Sequence, residues 1–326
     1  MVLGTIRGER RKMGTRVSTH NGRRNRKGQV YNASHNDRTC KDQGRDGHID
    51  QERTYQNLTW EWTEKGKKFK QSEMEWYATR YAKGCEARNE RYRKKGNLDK
   101  IGGTEDLRQN AKTCPQETIL QIGDQRASLE GKEMLGDMEA TRLYKMVLLD
   151  AWKSLKRFLN GYKDNFHVLD MALHMDEATP HIHFRAVFDA ENERGEVMPN
   201  QEKALEAMGF DLPEKDKPKG RYNNRKMAFD KAVREKWLEC LENSLKRQKE
   251  RHTEQSPVID KLLEIEKTPK EGRKALEIEE YKLAKTRSLV AKNRRIIGYQ
   301  DEFAEFVKAA EEEAERQRQF NRGKSR

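Results

Sequence analysis

The sequence predicts an α+β fold in which an antiparallel strand pair is set among amphipathic helices and followed by an extended α-helical C-terminal region. Three observations predict it. The run HIHFRAVF, His181–Phe188, alternates polar and apolar residues with the period of a half-buried strand. FHVLDMALH, ending at His174, reads as a second strand, and the short loop MDEATP between them makes an antiparallel hairpin. Elsewhere apolar residues recur mostly at helical spacing.

The chain has 326 residues, which suits one large domain or two. Only 33% of them are hydrophobic and 38% are charged, so one core of moderate size is affordable and part of the chain is expected to be extended and solvated. A net charge of +13 and a pI near 9.4 favour an anionic partner, with nucleic acid first. Cys40, Cys85, Cys114 and Cys240 have no paired spacing and read as reduced thiols of a cytoplasmic protein. No secretion signal and no membrane-spanning apolar run is expected.

Taken in order, residues 1–30 set Arg7, Arg10, Arg11, Lys12, Arg16, Arg23, Arg24, Arg26 and Lys27 against the single acid Glu9. They read either as a solvated tail or as an arm that neutralises phosphates. The stretch Thr19–Trp62 is rich in Asn, Gly, Asp and His and reads as loop. Residues 63–160 read mostly as helix, with Met74, Tyr77, Tyr81 and Cys85 on one apolar stripe. A second stripe carries Leu143, Met146, Val147, Trp152, Leu155, Phe158 and Leu159, and Gly161 ends it. Residues 189–224 read as a turn, a short helix and a basic loop. There KGRYNNRK joins Lys219, Arg221, Arg225 and Lys226 to Tyr222, a composition that suits a phosphate backbone with one stacked base or a solvated turn. From Asn224 to Glu254 the pattern is helical. Beyond Pro257 it is helical again, with partial coiled-coil character that suits pairing with a second chain.

The chemistry concentrates in the hairpin. Strand alternation puts His181 and His183 on one face with Arg185 beyond them, and the turn brings His174 alongside. Glu177 sits on the loop at the mouth of the cluster. Three of eight histidines thus fall within one short segment, and three imidazoles on rigid strands make a divalent-metal site with an open position. The metalloprotease pattern H-E-x-x-H is absent, and Pro180 would break the helix it needs.

The signature HMDEATPHIH, with the blocks SHNDR and HIDQERTYQN, resembles the HUH endonuclease superfamily and, within it, the plasmid mobilisation and recombination relaxases of the MobV type. Every fixed position of that family's His-x-Asp-Glu-x-x-Pro-His-x-His pattern is present. The resemblance runs from about Val17 to about Glu242. It implies a relaxase domain (17–245) with a central antiparallel sheet flanked by helices, set between the basic arm (1–16) and the partly coiled-coil helical region (246–326) read from charge and periodicity. The implied activity is metal-dependent nicking of one strand of supercoiled DNA at an origin of transfer, for conjugative mobilisation, with the 5′ end held covalently on the protein.

Under this resemblance His174, His181 and His183 bind manganese or magnesium. Glu177 orients a ligand or acts as a base, and Arg38 and Arg53 clamp phosphate oxygens. His35 and His20 both precede Asn-x-Arg, as the family's nucleophilic histidine does, and spacing to Asp50 points to His35. Tyr31 and Tyr55 are the alternatives if this branch uses tyrosine. Tyr162 fits a DNA-contacting tyrosine of the family, whereas Leu58 stands where another is expected. Arg185, Arg221, Tyr222 and Arg225 complete the expected DNA contacts. Single-stranded origin DNA is the expected partner, with a secretion-system coupling protein or a second copy engaging the C-terminal helices. A replication-initiator nuclease is a second reading, weakened because Tyr77 and Tyr81 precede the His-x-His strand. A non-catalytic nucleic-acid-binding protein with a structural metal is a third, weakened because no cysteine lies near the histidines.

Overall fold

The computed structural model describes residues 17–24, 28–39, 49–63 and 66–264. The expected basic arm and the coiled-coil stretch beyond residue 264 lie outside them, as does Cys40. The chain divides into two compact units, Met1–Glu266 and Lys267–Arg326, and every described residue belongs to the first.

A mixed sheet-and-helix architecture is present, as the sequence predicts. Its elements are β1 (Val17–Gly22), α1 (Ala33–Asn36), β2 (Leu58–Glu61), α2 (Phe69–Lys94), α3 (Thr104–Gln109), β3 (Gln116–Ile122), α4 (Gln125–Leu135), α5 (Asp137–Asn160), β4 (Phe166–His174), β5 (His181–Glu191), β6 (Val197–Pro199), α6 (Gln201–Ala207), α7 (Arg225–Arg251) and α8 (Ser256–Leu263). The strands pair antiparallel in the order β1-β3-β5-β4-β2, and β6 pairs with the outer end of β5. The hairpin strands β4 and β5 are therefore interior, and His174 stands opposite His181 in register.

The expected alternation of β5 holds. Ile182, Phe184, Ala186 and Phe188 join the main apolar core with Leu143, Val147, Leu155 and Leu159 of α5 and Trp237 and Leu241 of α7. The other face differs from the expectation of a half-buried strand, because His181 through Ala190 are all buried. Helix α2 covers that face: Tyr77, Tyr81 and Cys85 pack with Leu169 and Val187. Met74, expected on the same stripe, points outward at 42% exposure. The apolar stripe of α2 is narrow: Phe69 packs with Ala172 of β4, and beside it Ser72 and Glu73 reach the sheet through polar contacts.

Four strands escaped the sequence pattern, among them β6, which lies in a stretch that reads as turn and short helix. β1 and β2 are short edge strands inside a stretch that reads as loop, and β3 lies inside one that reads as helix. β3 carries Gln116, Glu117 and Thr118 at buried positions, so its polar residues conceal a strand lying between β1 and β5. Helix α7 starts where Asn224 caps it, accepting from the Met227 amide. It passes unbroken through residue 245, and Val258, Ile259 and Leu262 of α8 pack on the same core. Cys85, Cys114 and Cys240 are free and buried. Among the described residues no helix is long and apolar enough to cross a membrane.

The two stripes separate in a stability measurement. Leu155→Ala, at a fully buried position, is expected to cost about 2–5 kcal/mol in urea unfolding. Met74→Ala is expected to stay within about 0.5 kcal/mol.

Candidate metal centre

The hairpin delivers three imidazoles to one point, and three separate segments fix their orientation. His174 Nε2 lies 2.8 Å from the backbone carbonyl of Asn36 in α1. His181 Nδ1 lies 2.8 Å from the carbonyl of Thr179, and His183 Nδ1 lies 3.0 Å from Glu117 Oε1 on β3. Carbonyls and carboxylates only accept hydrogen bonds, so each of these nitrogens carries the hydrogen. The remaining nitrogens, His174 Nδ1, His181 Nε2 and His183 Nε2, then turn bare lone pairs toward one another. His181 Nε2 and His183 Nε2 are 2.8 Å apart, and His174 Nδ1 is buried with no hydrogen-bond partner. Two bare nitrogens at that distance repel unless a cation stands against them. The three ligand atoms lie within 4.8 Å of one another, and the set could hold one metal ion.

The electrostatics agree. Burial, with the neighbouring His183 ring adding to it, pushes His181 down to about 4, and burial lowers His174 too. Both rings are therefore neutral, ligand-competent imidazoles at neutral pH. Burial pushes the Glu117 carboxyl up, but the contact with His183, the Arg185 charge and the Asn36 hydrogen bond bring it down to about 2. Glu177 is likewise held well below the usual carboxylate range, burial being outweighed by His174, His181 and Arg38. Its Oε1 is 3.5 Å from His174 Nδ1 and its Oε2 is 3.8 Å from His181 Nε2, which places it at the mouth as expected.

Arg38 and Asp176 assemble the rim. Arg38 donates to Asp176 at 3.1 and 2.7 Å and to Glu177 at 2.8 Å. It holds a left-handed backbone, φ 56°, the one non-glycine residue with positive φ among those described, and such strain is retained where surrounding contacts impose it. Asp176 also accepts from Thr54 Oγ1 at 3.1 Å and Asn57 Nδ2 at 2.7 Å, and its carbonyl accepts from the Asp50 amide at 2.7 Å. These bonds bring the 3-10 turn Gln51–Gln56, with Arg53 and Tyr55, beside the histidines. Asp176 stands inside the motif but had no role assigned from sequence. Glu117 and Asn36 were missed: nothing local distinguishes a glutamate on a polar strand, and only strand pairing brings it to His183.

His35 sits on the single turn of α1, between Asn32, which caps that turn, and Arg38. Its ring centroid is 6.3 Å from those of both His174 and His183, and Arg38 Nη1 lies 3.5 Å from His35 Nε2 and donates to its carbonyl at 3.3 Å. His20 is in register with Ile119, and Ile119 with His183. It shares their row of the sheet but stands two strands away, on the order of 10 Å. Tyr31 packs beside Gly22 at the far end of β1, and Tyr55 is 81% exposed on the outer turn.

Five expected DNA contacts lie elsewhere. Arg185 is fully buried and bonded to Glu73 and Glu117, so it reaches no ligand. Tyr162 packs against Phe158, Phe210 and Phe229, on the α5–α7 side and beyond the opposite end of β4 from His174. Arg225 is taken up by Glu202 at 2.6 Å and Glu206 at 2.8 Å, and Lys219 by Glu202. The acids of α6 thus neutralise much of the loop's charge, which sequence reading could not pair. Arg221 lies over the exposed Tyr222 ring at the same remote end.

No family model matches the chain, and no curated protein matches it. Among solved structures it is similar to two manganese-bound crystal structures of the MobM relaxase domain (MOBV; Mob_Pre) with plasmid pMV158 origin-of-transfer DNA. Sequence identity is 16% and 15% and the TM-score 0.33 and 0.32, and each match covers 66% of this chain and 98% of that chain.

The depressed His181 has a consequence for stability. Its folded value is about 4, against about 6.5 for an ordinary imidazole. Between these values the unfolded chain binds a proton that the folded chain refuses, so ion-free stability falls as pH drops through that window. Urea unfolding in chelator at pH 7 and pH 5 is expected to show a larger loss for wild type than for His181→Gln. Equal losses would place the acid sensitivity in other groups.

Proposed function

We propose that this chain is a metal-dependent DNA relaxase that nicks one strand at an origin of transfer and keeps the 5′ end on His35. The observation that carries the reading is the set of three inward-facing imidazole nitrogens with a fourth imidazole, His35, on a braced turn beside them. A divalent ion, manganese or magnesium, held by His174 Nδ1, His181 Nε2 and His183 Nε2 would supply positive charge against a scissile phosphate. Glu177 and Asp176 hold Arg38 in place, and Arg38 holds His35 through its carbonyl.

In the forward step a His35 ring nitrogen forms a bond to phosphorus, the bond from phosphorus to the 3′ oxygen breaks, and that oxygen takes up a proton. In the reverse step a 3′ hydroxyl attacks the same phosphorus and expels the imidazole. The covalent link conserves the bond energy, so no external energy source is needed for rejoining. Arg53, on the turn tied to Asp176, is the cation this reading assigns to the incoming strand. The contacts expected with a coupling protein or a second copy fall on the C-terminal region 246–326, of which residues 246–264 are described.

The test is nicking of a supercoiled plasmid carrying DNA that flanks this gene, with manganese, followed by mapping of the residue left on the 5′ end. Wild type is expected to leave DNA on His35. His35→Ala and His181→Ala are each expected to lower nicking by about two orders of magnitude or more. An adduct on His20, Tyr31 or Tyr55 would keep the activity and move the nucleophile. Intact plasmid, with manganese and DNA both bound, would leave a DNA-binding protein.

A further inference from the structure

Behind His183 runs a chain of buried charges that nothing in the nicking chemistry uses. Glu117, which orients His183, also receives Arg185 Nη1 at 3.4 Å and Asn36 Nδ2 at 3.3 Å on its other oxygen. Arg185 is fully buried, and its strongest bond goes the other way, from Nε to Glu73 Oε1 at 2.5 Å, with Nη2 to Glu73 Oε2 at 3.4 Å. Glu73, also fully buried, ties the N-terminal part of α2 to the sheet, and its second cation is Arg108 at 3.3 Å. Asp170 faces Arg185 across the β4–β5 ladder. Burial, with Glu73 close by, raises its carboxyl well above the usual carboxylate range, and neither of its oxygens has a hydrogen-bond partner, so Glu73 is the carboxylate that competes with Glu117 for the bonds of Arg185.

A buried ion pair of this kind adds little net stability, because desolvation offsets attraction. Its geometry has a clearer consequence. A guanidinium matches a carboxylate bidentately when nothing prevents it. Were Arg185 to close on Glu117 in that way, it would draw off the negative charge that polarises His183 Nδ1–H and so weaken the donor nitrogen on the other side of the ring. Glu73 occupies Nε and Nη2 and leaves Glu117 a single long contact. We infer that Glu73 is a positioning residue for the metal centre, which holds Arg185 off Glu117 so that Glu117 can orient and polarise His183.

The inference rests on the reading that the three histidines hold a divalent ion, and the experiment separates the two. Manganese affinity is measured by calorimetric titration of the full chain without DNA, with a thermal melt of each ion-free variant. One ion per chain in wild type, lost in His181→Ala, establishes the ion site, and no binding in wild type overturns that reading and the inference with it.

Given binding, Glu73→Gln is expected to weaken manganese affinity about 10-fold at unchanged stoichiometry, because Arg185 then turns to Glu117. Arg185→Met leaves Glu73 paired with Arg108 and Glu117 bonded to His183 and Asn36. It is expected to bind manganese at least as tightly as wild type, and the double variant Glu73→Gln/Arg185→Met to return within about twofold of it. Wild-type affinity in Glu73→Gln, or affinity weakened by Arg185→Met, would overturn the inference while leaving the ion site standing. If Glu73→Gln does not fold, Arg185→Met decides alone.

Discussion

The hydrogen bonds on the outer nitrogens of the three histidines are the constraint on which the site depends. A histidine pair on a strand can turn either nitrogen inward, and a neutral ring can carry its hydrogen on either one. Here a carbonyl of α1, a carbonyl of the hairpin loop and a carboxylate of β3 each claim one nitrogen. The lone pairs have nowhere to point but toward a common centre. Helix α1 must therefore sit against the hairpin, β3 must pair with β5, and the end of the loop must bring the Thr179 carbonyl to His181. Much of the topology near this end of the sheet follows from delivering three acceptors.

The sheet has two unlike faces because of this. The face toward α5 and α7 is apolar and continuous. The face toward α2 buries His181, His183, Arg185 and Asp189 in succession with apolar residues only between them. Each of these polar side chains has a partner: Arg80, Tyr81 and His167 bind Asp189, while Glu73 and Glu117 bind Arg185. A layer this rich in buried charge tolerates few independent changes, since each charge is compensated by a residue on another element.

The hairpin, its facing alternation and the two long helices before and after it were legible because each is a local periodicity. Tyr77, Tyr81 and Cys85 took the buried positions their spacing implied, and His35 fell beside the triad although it lies far away in sequence. What was not legible depends on pairing over distance. Glu117 and Asn36 look like ordinary polar residues until β3 and α1 dock. Arg185 reads as a surface cation because its counter-ion, Glu73, is on a distant helix. Tyr162 and Arg225 carry the right chemistry at the wrong pole of the sheet, where aromatic packing and the acids of α6 consume them. β1 and β2 were missed because an edge strand of a few residues leaves no period to detect.

The scatter of those acceptors along the chain also links ion occupancy to the folding equilibrium. The three histidines lie within one short segment, so even an unfolded chain can offer them to a cation. It cannot offer them with their ring hydrogens already committed outward, since Asn36 and Glu117 reach them only through tertiary structure. A cation therefore discriminates between folded and unfolded chains through ring orientation rather than through ligand count. In the limit where the unfolded chain binds weakly, each tenfold rise in free ion above the dissociation constant adds about 1.4 kcal/mol to global stability. The centre would then act as a thermodynamic clasp on the whole domain, drawing α1, β3 and the hairpin together whether or not any DNA is present.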